Sequence, residues 1–188
     1  CYILFKKGII LKLTILFGGA SFEHEISIVS AITIKEKLSG FDLDFIFCDQ
    51  DHTFYLIEPS KMKAITFSKS EHKKMPKLTL IQGAFLQKTM FSSNEYNSIV
   101  LNLIHGADGE DGSISALLEF YSIRYIGPRM DASLFSYDKR YTKYLCEAKD
   151  IKSVKYEILN SNEHTNITIN YPIIIKPASL GSSIGVSI

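Results

Sequence analysis

An α/β fold built on a parallel sheet is predicted by two apolar runs, each ending abruptly in glycine. Residues 11–17 read Leu-Lys-Leu-Thr-Ile-Leu-Phe before Gly18 and Gly19, and residues 99–104 read Ile-Val-Leu-Asn-Leu-Ile before His105 and Gly106. Short runs rich in Ile, Val and Leu suit strands covered on both faces. A helical pattern follows the first glycine turn, and strand, turn, helix is the opening of a βαβ unit. Ligands of such sheets bind beyond the strand C-termini, so both turns are candidate sites.

The composition fits this class. The 188 residues are 46% hydrophobic and 22% charged, enough for one domain or one and a half. Lys+Arg 21 against Asp+Glu 20 gives a formal net charge of +1, so no global field recruits nucleic acid or an anionic membrane. Cys1, Cys48 and Cys146 form no CxxC pair and are odd in number, which argues against a disulfide framework or a structural zinc and for the reducing cytoplasm. The apolar stretches are broken well short of the ~20 residues a membrane span needs. Residues 8–12, after Lys6 and Lys7, are too short for a signal-peptide core. The chain starts on Cys1 and stops at Ile188 inside a strand-like run, and is expected to be a fragment at both ends.

Taken in order, Ser21 is expected to cap a helix starting near Glu23. Its apolar positions Ile26, Ile28, Val29, Ala31, Ile32 and Ile34 spread too widely for a purely surface helix. Residues 43–48 and 53–57 read as strands joined by the turn formers Asp49-Gln-Asp-His52. The basic run at residues 69–77 has no aromatic interleaved, so it reads as a solvated linker rather than a phosphate or nucleic-acid patch. Residues 78–90 suggest a strand pair bent at Gly83, residues 113–121 an amphipathic helix capped by Asp111 or Ser113, and residues 124–127 a short strand.

Pro128 marks a break and an expected domain boundary. Asp131 or Ser133 is expected to cap a helix running to about Ala148 and carrying Lys139, Arg140 and Lys143. Residues 154–160 and 171–176 look like strands of a second sheet. Asn166-Ile-Thr168 matches a glycosylation sequon that carries no meaning in a cytoplasmic chain, and there is no internal repeat.

Three loops carry candidate chemistry. The first, Gly18 to Glu25, opens a helix yet presents Glu23 and Glu25. Two readings stand: the acids stabilise the helix dipole, or one of them grips a substrate cation such as an ammonium. The second, His105-Gly-Ala-Asp-Gly-Glu-Asp-Gly112, has glycines but its Asp108, Glu110 and Asp111 repel phosphate. His105 either orients a carboxylate or a proton, or is a hydrogen-bonded structural residue. A metal site from His105, Asp108, Glu110 and Asp111 lacks any recognised ligand spacing. If the two preceding strands are neighbours, the two acidic loops together suit an amino group. The third loop, Lys176-Pro-Ala-Ser-Leu-Gly181-Ser-Ser-Ile-Gly185, delivers a lysine from a strand and follows it with hydroxyls and N–H groups, chemistry for phosphate. It is not a Walker A loop, because the lysine precedes the glycines.

The combination of residues 16–27, 105–116 and 176–187 resembles the D-alanine-D-alanine ligase family of the ATP-grasp superfamily, over residues 13 to 188. The resemblance implies a Rossmann-like N-terminal α/β substrate domain at residues 13–128, the beginning of an ATP-grasp domain at 129–188, and an unmatched extension at 1–12. It implies ATP-dependent joining of two D-alanines through an acyl phosphate for peptidoglycan synthesis. It places the glutamate that holds the first amino group at Glu23 and the catalytic serine near the transferred phosphate at Ser182. His105 falls on the histidine lining the D-alanine pocket, and Lys139, Lys176 and Ser183 on the ATP-phosphate contacts. Mg²⁺ or Mn²⁺ is implied as cofactor, with its ligands in the absent C-terminal part, so this fragment alone is expected to be inactive. A homodimer is a candidate assembly. Ser115 departs from the family pattern, where many relatives carry Gln. Rival readings are a ligase taking D-lactate or D-serine second, and a catalytically silent metabolite-binding module.

Overall fold

The computed structural model describes residues 11–160 and 167–188; of the expected extension, residues 1–10 with Cys1, Lys6 and Lys7 lie outside the described residues, as does Asn166 of the sequon, while Lys12 already belongs to the first strand. β1 (Lys12–Gly18) and β2 (Asp42–Cys48) run parallel, as do β1 and β7 (Ile99–Asn102), and β7 and β8 (Tyr125–Ile126). Side-chain alternation along them builds two cores. Leu16 and Ile46 point to one face with Val100, against α3 (Ser113–Phe120), which contributes Ile114 and Leu118. Ile15, Phe17, Phe45 and Phe47 point to the other, where α1 (His24–Lys37) contributes Ile28 and Ala31 and α2 (Ala64–Ser68) contributes Phe67. Strands buried on both faces explain why their sequences show no polar alternation.

The parallel sheet continues into four antiparallel strands. β3 (Phe54–Ile57), β4 (Lys77–Ile81), β5 (Ala84–Lys88) and β6 (Ser93–Tyr96) complete the order β6-β5-β4-β3-β2-β1-β7-β8. Residues 49–53 between β2 and β3 are too few for a parallel crossover, which takes a dozen or more, so the pair is antiparallel. β4 and β5 are the expected pair bent at Gly83, which holds φ +81° in a two-residue turn. The polar β6 had no pattern to announce it.

Several expectations change. The basic run at residues 69–77 is not a solvated linker: it follows α2 directly, holds a short 3-10 helix at Glu71–Lys74 and leads into β4. The buried His72 stacks beside Phe47 and Phe67 and bonds Asp49 Oδ2 through Nε2 at 3.1 Å, so an apolar cage, invisible in the charge run, fixes the segment. α1 buries only Ser27, Ile28 and Ala31, while Ile26 and Val29 are each 56% exposed, so it is a surface helix after all. The single helix expected to end near Ala148 is two, α4 (Met130–Tyr137) and α5 (Lys139–Ala148), because Asp138 breaks the run with extended backbone and caps α5 by accepting from Arg140 N at 2.8 Å. Neither Asp131 nor Ser133 caps α4. Residues 154–160 form no strand, having no partner ladder among the described residues, and residues 171–176 keep only the bridge between Ile175 and Ser187.

Candidate active site

β1 and β7 are neighbours, so the two glycine loops do sit together beyond the same sheet edge. Gly18 and Gly19 hold φ of +104° and +87°, and a methyl at Gly18 would lie 2.1 Å from Cys48 O, so the chain must cross β2 without a side chain. The buried Ser27 joins the two loops: it accepts from Gly18 N at 2.8 Å and donates to Leu103 O at 2.6 Å. Asp108 Oδ2 accepts from Ala20 N at 2.9 Å and lies 3.0 Å from His52 Nε2. The Ser21 hydroxyl makes no bond to an α1 N–H, although Ser21 O accepts from His24 N at 3.2 Å. The hydroxyl accepts instead from Glu23 N at 3.1 Å, just outside α1, and donates to His105 O at 2.6 Å. Asp111 Oδ1 accepts from Ser113 N at 2.9 Å, but the residue at the N-cap of α3 is Gly112, with left-handed backbone and no side-chain cap bond, so neither Asp111 nor Ser113 caps the helix.

Glu23 stands at the mouth, half-buried. Gly106, with φ +70°, lets the second loop's backbone close on it, since a methyl there would sit 2.7 Å from Glu23 Oε2. The third loop arrives from the far end of the chain, and Ser182 Oγ donates to Glu23 Oε1. Ser182 and Ser183 both hold left-handed backbone, φ +50° and +58°, a strained pair of the kind that persists where tertiary contacts over-determine the conformation. Lys139 anchors this loop: its N donates to Ala178 O at 2.9 Å and its Nζ to Leu180 O at 2.8 Å. Beside it, buried Asp138 accepts from Ser179 Oγ at 2.8 Å and from Arg140 Nη2 at 2.7 Å, and these donors, the Arg140 bond first, hold its carboxyl well below the usual carboxylate range.

Two cavities meet here. One of about 490 Å³ is lined by Asn102, His105, Glu110, Ser136 and Lys139, and a smaller one of about 210 Å³ by Ser21, Glu23, Gly106, Ser179 and Ile184. Tyr137, Leu180 and Gly181 line both. Burial, then the carboxylates of Asp111, Glu110 and Glu23, push the Tyr137 hydroxyl up, so it stays a neutral hydrogen-bonding group. His105 lies with Nε2 3.2 Å from Ser30 Oγ and Nδ1 3.6 Å from Glu110 Oε1.

Of the residues singled out in the sequence, Glu23, His105 and Lys139 line this double cavity, and the exposed Ser182, which lines neither part, is tied to it through its bond to Glu23. Lys176 and Ser183 are exposed and line neither cavity. Ser27, Ser30, Asp138 and Tyr137 escaped the sequence reading; only the position of Asp138, directly before Lys139, offered a signal. Burial pushes the Cys48 thiol up to about 12, so it is no nucleophile. Among the described residues no three His, Cys, Asp or Glu side chains group to hold a metal ion, so the implied Mg²⁺ or Mn²⁺ finds no donor set among them. Among the described residues, too, no helix is long and apolar enough to cross a membrane.

Asp138→Asn tests the anchor. A depressed carboxyl contributes stability above its unfolded value of about 3.8, and that contribution fades as pH falls through the lower folded-state value. The variant should therefore be less stable than the parent at pH 7, with the difference shrinking below about pH 4 in urea titrations. A pH-independent difference would show that the ion pair is not its source.

An α/β protein with a carboxylate-walled cavity beyond the strand ends, closed by a lysine-anchored Gly/Ser loop, is the class this fold and site define. The family model for the D-ala D-ala ligase N-terminus matches residues 12–128, and the chain belongs to that family. A D-alanine--D-alanine ligase of Sulfurimonas denitrificans is 71% identical over 178 residues, covering 95% of this chain and 52% of the relative. One from Campylobacter jejuni is 49% identical over 179 residues, covering 95% and 51%. The crystal structure of D-Alanine-D-Alanine Ligase from Helicobacter pylori superposes with a TM-score of 0.85 at 44% identity, over 94% of this chain and 55% of that one. The chain thus spans about half the length of the curated relatives it matches.

Proposed function

We propose that the full-length protein ligates two D-alanines to D-alanyl-D-alanine for peptidoglycan synthesis, using ATP. The observation that carries this is the Ser182–Glu23 hydrogen bond, which joins a carboxylate suited to an ammonium to a loop suited to phosphate. Glu23 holds the ammonium of the first D-alanine beside His105. The γ-phosphoryl of ATP passes to that amino acid's carboxylate, releasing ADP and leaving an acyl phosphate. The amine of the second D-alanine then attacks the acyl carbon, the C–O bond to phosphate breaks, and inorganic phosphate and a proton leave. Catalysis by such a site is positioning and charge neutralisation.

In this reading Ser182 registers the phosphate loop on the bound amino acid, and Lys139, Lys176 and Ser183 face the ATP phosphates. Lys139 already draws Leu180 O inward, which supports a role in shaping that loop. Residues 13–128 form the substrate domain and residues 129–188 begin an ATP-grasp domain, with Pro128 between β8 and α4 as the hinge of the division. Mg²⁺ or Mn²⁺ would be held by residues beyond Ile188. A cytoplasmic location follows from the use of ATP.

The test is phosphate release by the full-length protein in the presence of ATP and D-alanine, with D-lactate and D-serine as competing second substrates. Release requiring both ATP and D-alanine, with D-alanyl-D-alanine as product, is the expected result. No release would favour a silent binding module, and mixed products with D-lactate or D-serine would favour the rival ligases.

A further inference from the structure

We propose that Ser30 is a positioning residue that fixes the tautomer of His105, so that the ring presents an Nδ1–H donor to a carboxylate group in the larger cavity. Serine in mid-helix ordinarily bonds the carbonyl one turn back or faces water. Ser30, in the second turn of α1, reaches instead across 75 positions to His105, with Oγ 3.2 Å from Nε2. The other ring nitrogen is handled differently. Glu110 Oε1 lies 3.6 Å from Nδ1, too far for a hydrogen bond but close enough for its charge to favour a proton there. A neutral imidazole carries one N–H, and which nitrogen bears it is set by the bond the other makes. The Ser30 hydroxyl can donate to Nε2 or accept from it; in the proposed arrangement it donates, and that direction together with Glu110 facing Nδ1 selects the same form. Both His105 and Glu110 line the larger cavity, while Ser30 does not, so the serine acts only through the ring.

The backbone holds this arrangement in place. His105 O accepts from Ser21 Oγ at 2.6 Å, and Ser27, one turn before Ser30, bonds Leu103 O. Three hydroxyls on the loop and helix that follow β1 therefore grip the strand end of β7, two through its backbone and one through its imidazole. Only the third touches a group that can meet a ligand. The ligand class is a small molecule bearing a carboxylate, which on the ligase reading is the amino acid itself; the inference rests on that reading for the ligand's name but not for the tautomer.

The experiment separates the two. Alanine has the higher helix propensity, so Ser30→Ala should leave thermal stability unchanged or slightly raised. In the full-length protein it should raise KM for D-alanine by about three- to tenfold, the effect of one hydrogen bond, with KM for ATP unchanged. Ser30→Thr, which keeps the hydroxyl, should restore the parent value. Histidine ¹⁵N shifts should show Nδ1 protonated and Nε2 unprotonated for His105 in the parent, and a mixed population in Ser30→Ala. Unchanged ¹⁵N shifts, or an unchanged D-alanine KM in an active enzyme, overturns the proposal. Should the parent release no phosphate at all, the ligase reading fails while the ¹⁵N comparison still decides the role of Ser30.

Discussion

Glu23→Gln in the full-length protein is expected to lower D-alanine-dependent phosphate release by roughly 100-fold while changing the KM for ATP by less than about twofold. The Ser182 bond and, on the proposed ligase reading, a substrate ammonium meet at this carboxylate, and the substitution separates them. The amide oxygen of Gln still accepts from Ser182 Oγ, so the Gly/Ser loop keeps its seat. What disappears is the charge, and with it the partner of an ammonium in a confined cavity. Hydrogen bonds to charged groups contribute about 1.5–3 kcal/mol, the range that gives this loss. Glu23→Asp should do comparable damage for another reason: one methylene shorter, it cannot keep Gly106 and Ser182 both in contact. Kinetics with ATP and D-alanine varied in turn check the pair, and full turnover in Glu23→Gln would remove Glu23 from the site.

That carboxylate illustrates what was legible in the sequence. The strands β1 and β7 and the acids after them followed from apolar runs closed by glycine, and the adjacency of β1 and β7 was the condition for reading two acidic loops as one site. Residue type alone could not choose between a helix-dipole acid and a ligand at Glu23, because the choice depends on Gly106 and Ser182, which are 83 and 159 positions away. Ser30 and Tyr137 were illegible for the same reason: a serine in a helix and a tyrosine before an Asp look like surface residues until the opposite loop is in place. Local rules also failed where burial was non-local. The lysine-rich segment after α2 looked solvated, yet His72 within it is caged by Phe47 and Phe67. The strand expected at 154–160 had the right residues and no partner ladder among the described residues. Propensity proposes strands; a partner ladder makes them.

The site loop also makes the largest structural prediction. Gly109→Ala should destabilise the protein by about 3 kcal/mol, whereas Gly40→Ala should change stability by less than about 0.5 kcal/mol. A methyl at Gly109 would come within 1.9 Å of Ile104 O and 2.5 Å of Ile104 C, atoms of the backbone that cannot rotate aside. Relief requires opening the turn, which breaks the bond from Asn102 Nδ2 to Gly109 O at 3.1 Å and draws Asp108 away from Ala20 N. Those bonds hold the first loop against the second, so the damage spreads to the geometry around Glu23 and His105. At Gly40, in the turn between α1 and β2, a methyl meets nothing within 4 Å. The chemistry of the two substitutions is identical, and both remove the same backbone freedom from the unfolded chain. Any difference between them in urea unfolding therefore reports the close approach of Gly109 to Ile104; equal midpoints would mean that the loop yields freely and that its glycines are not what seats His105.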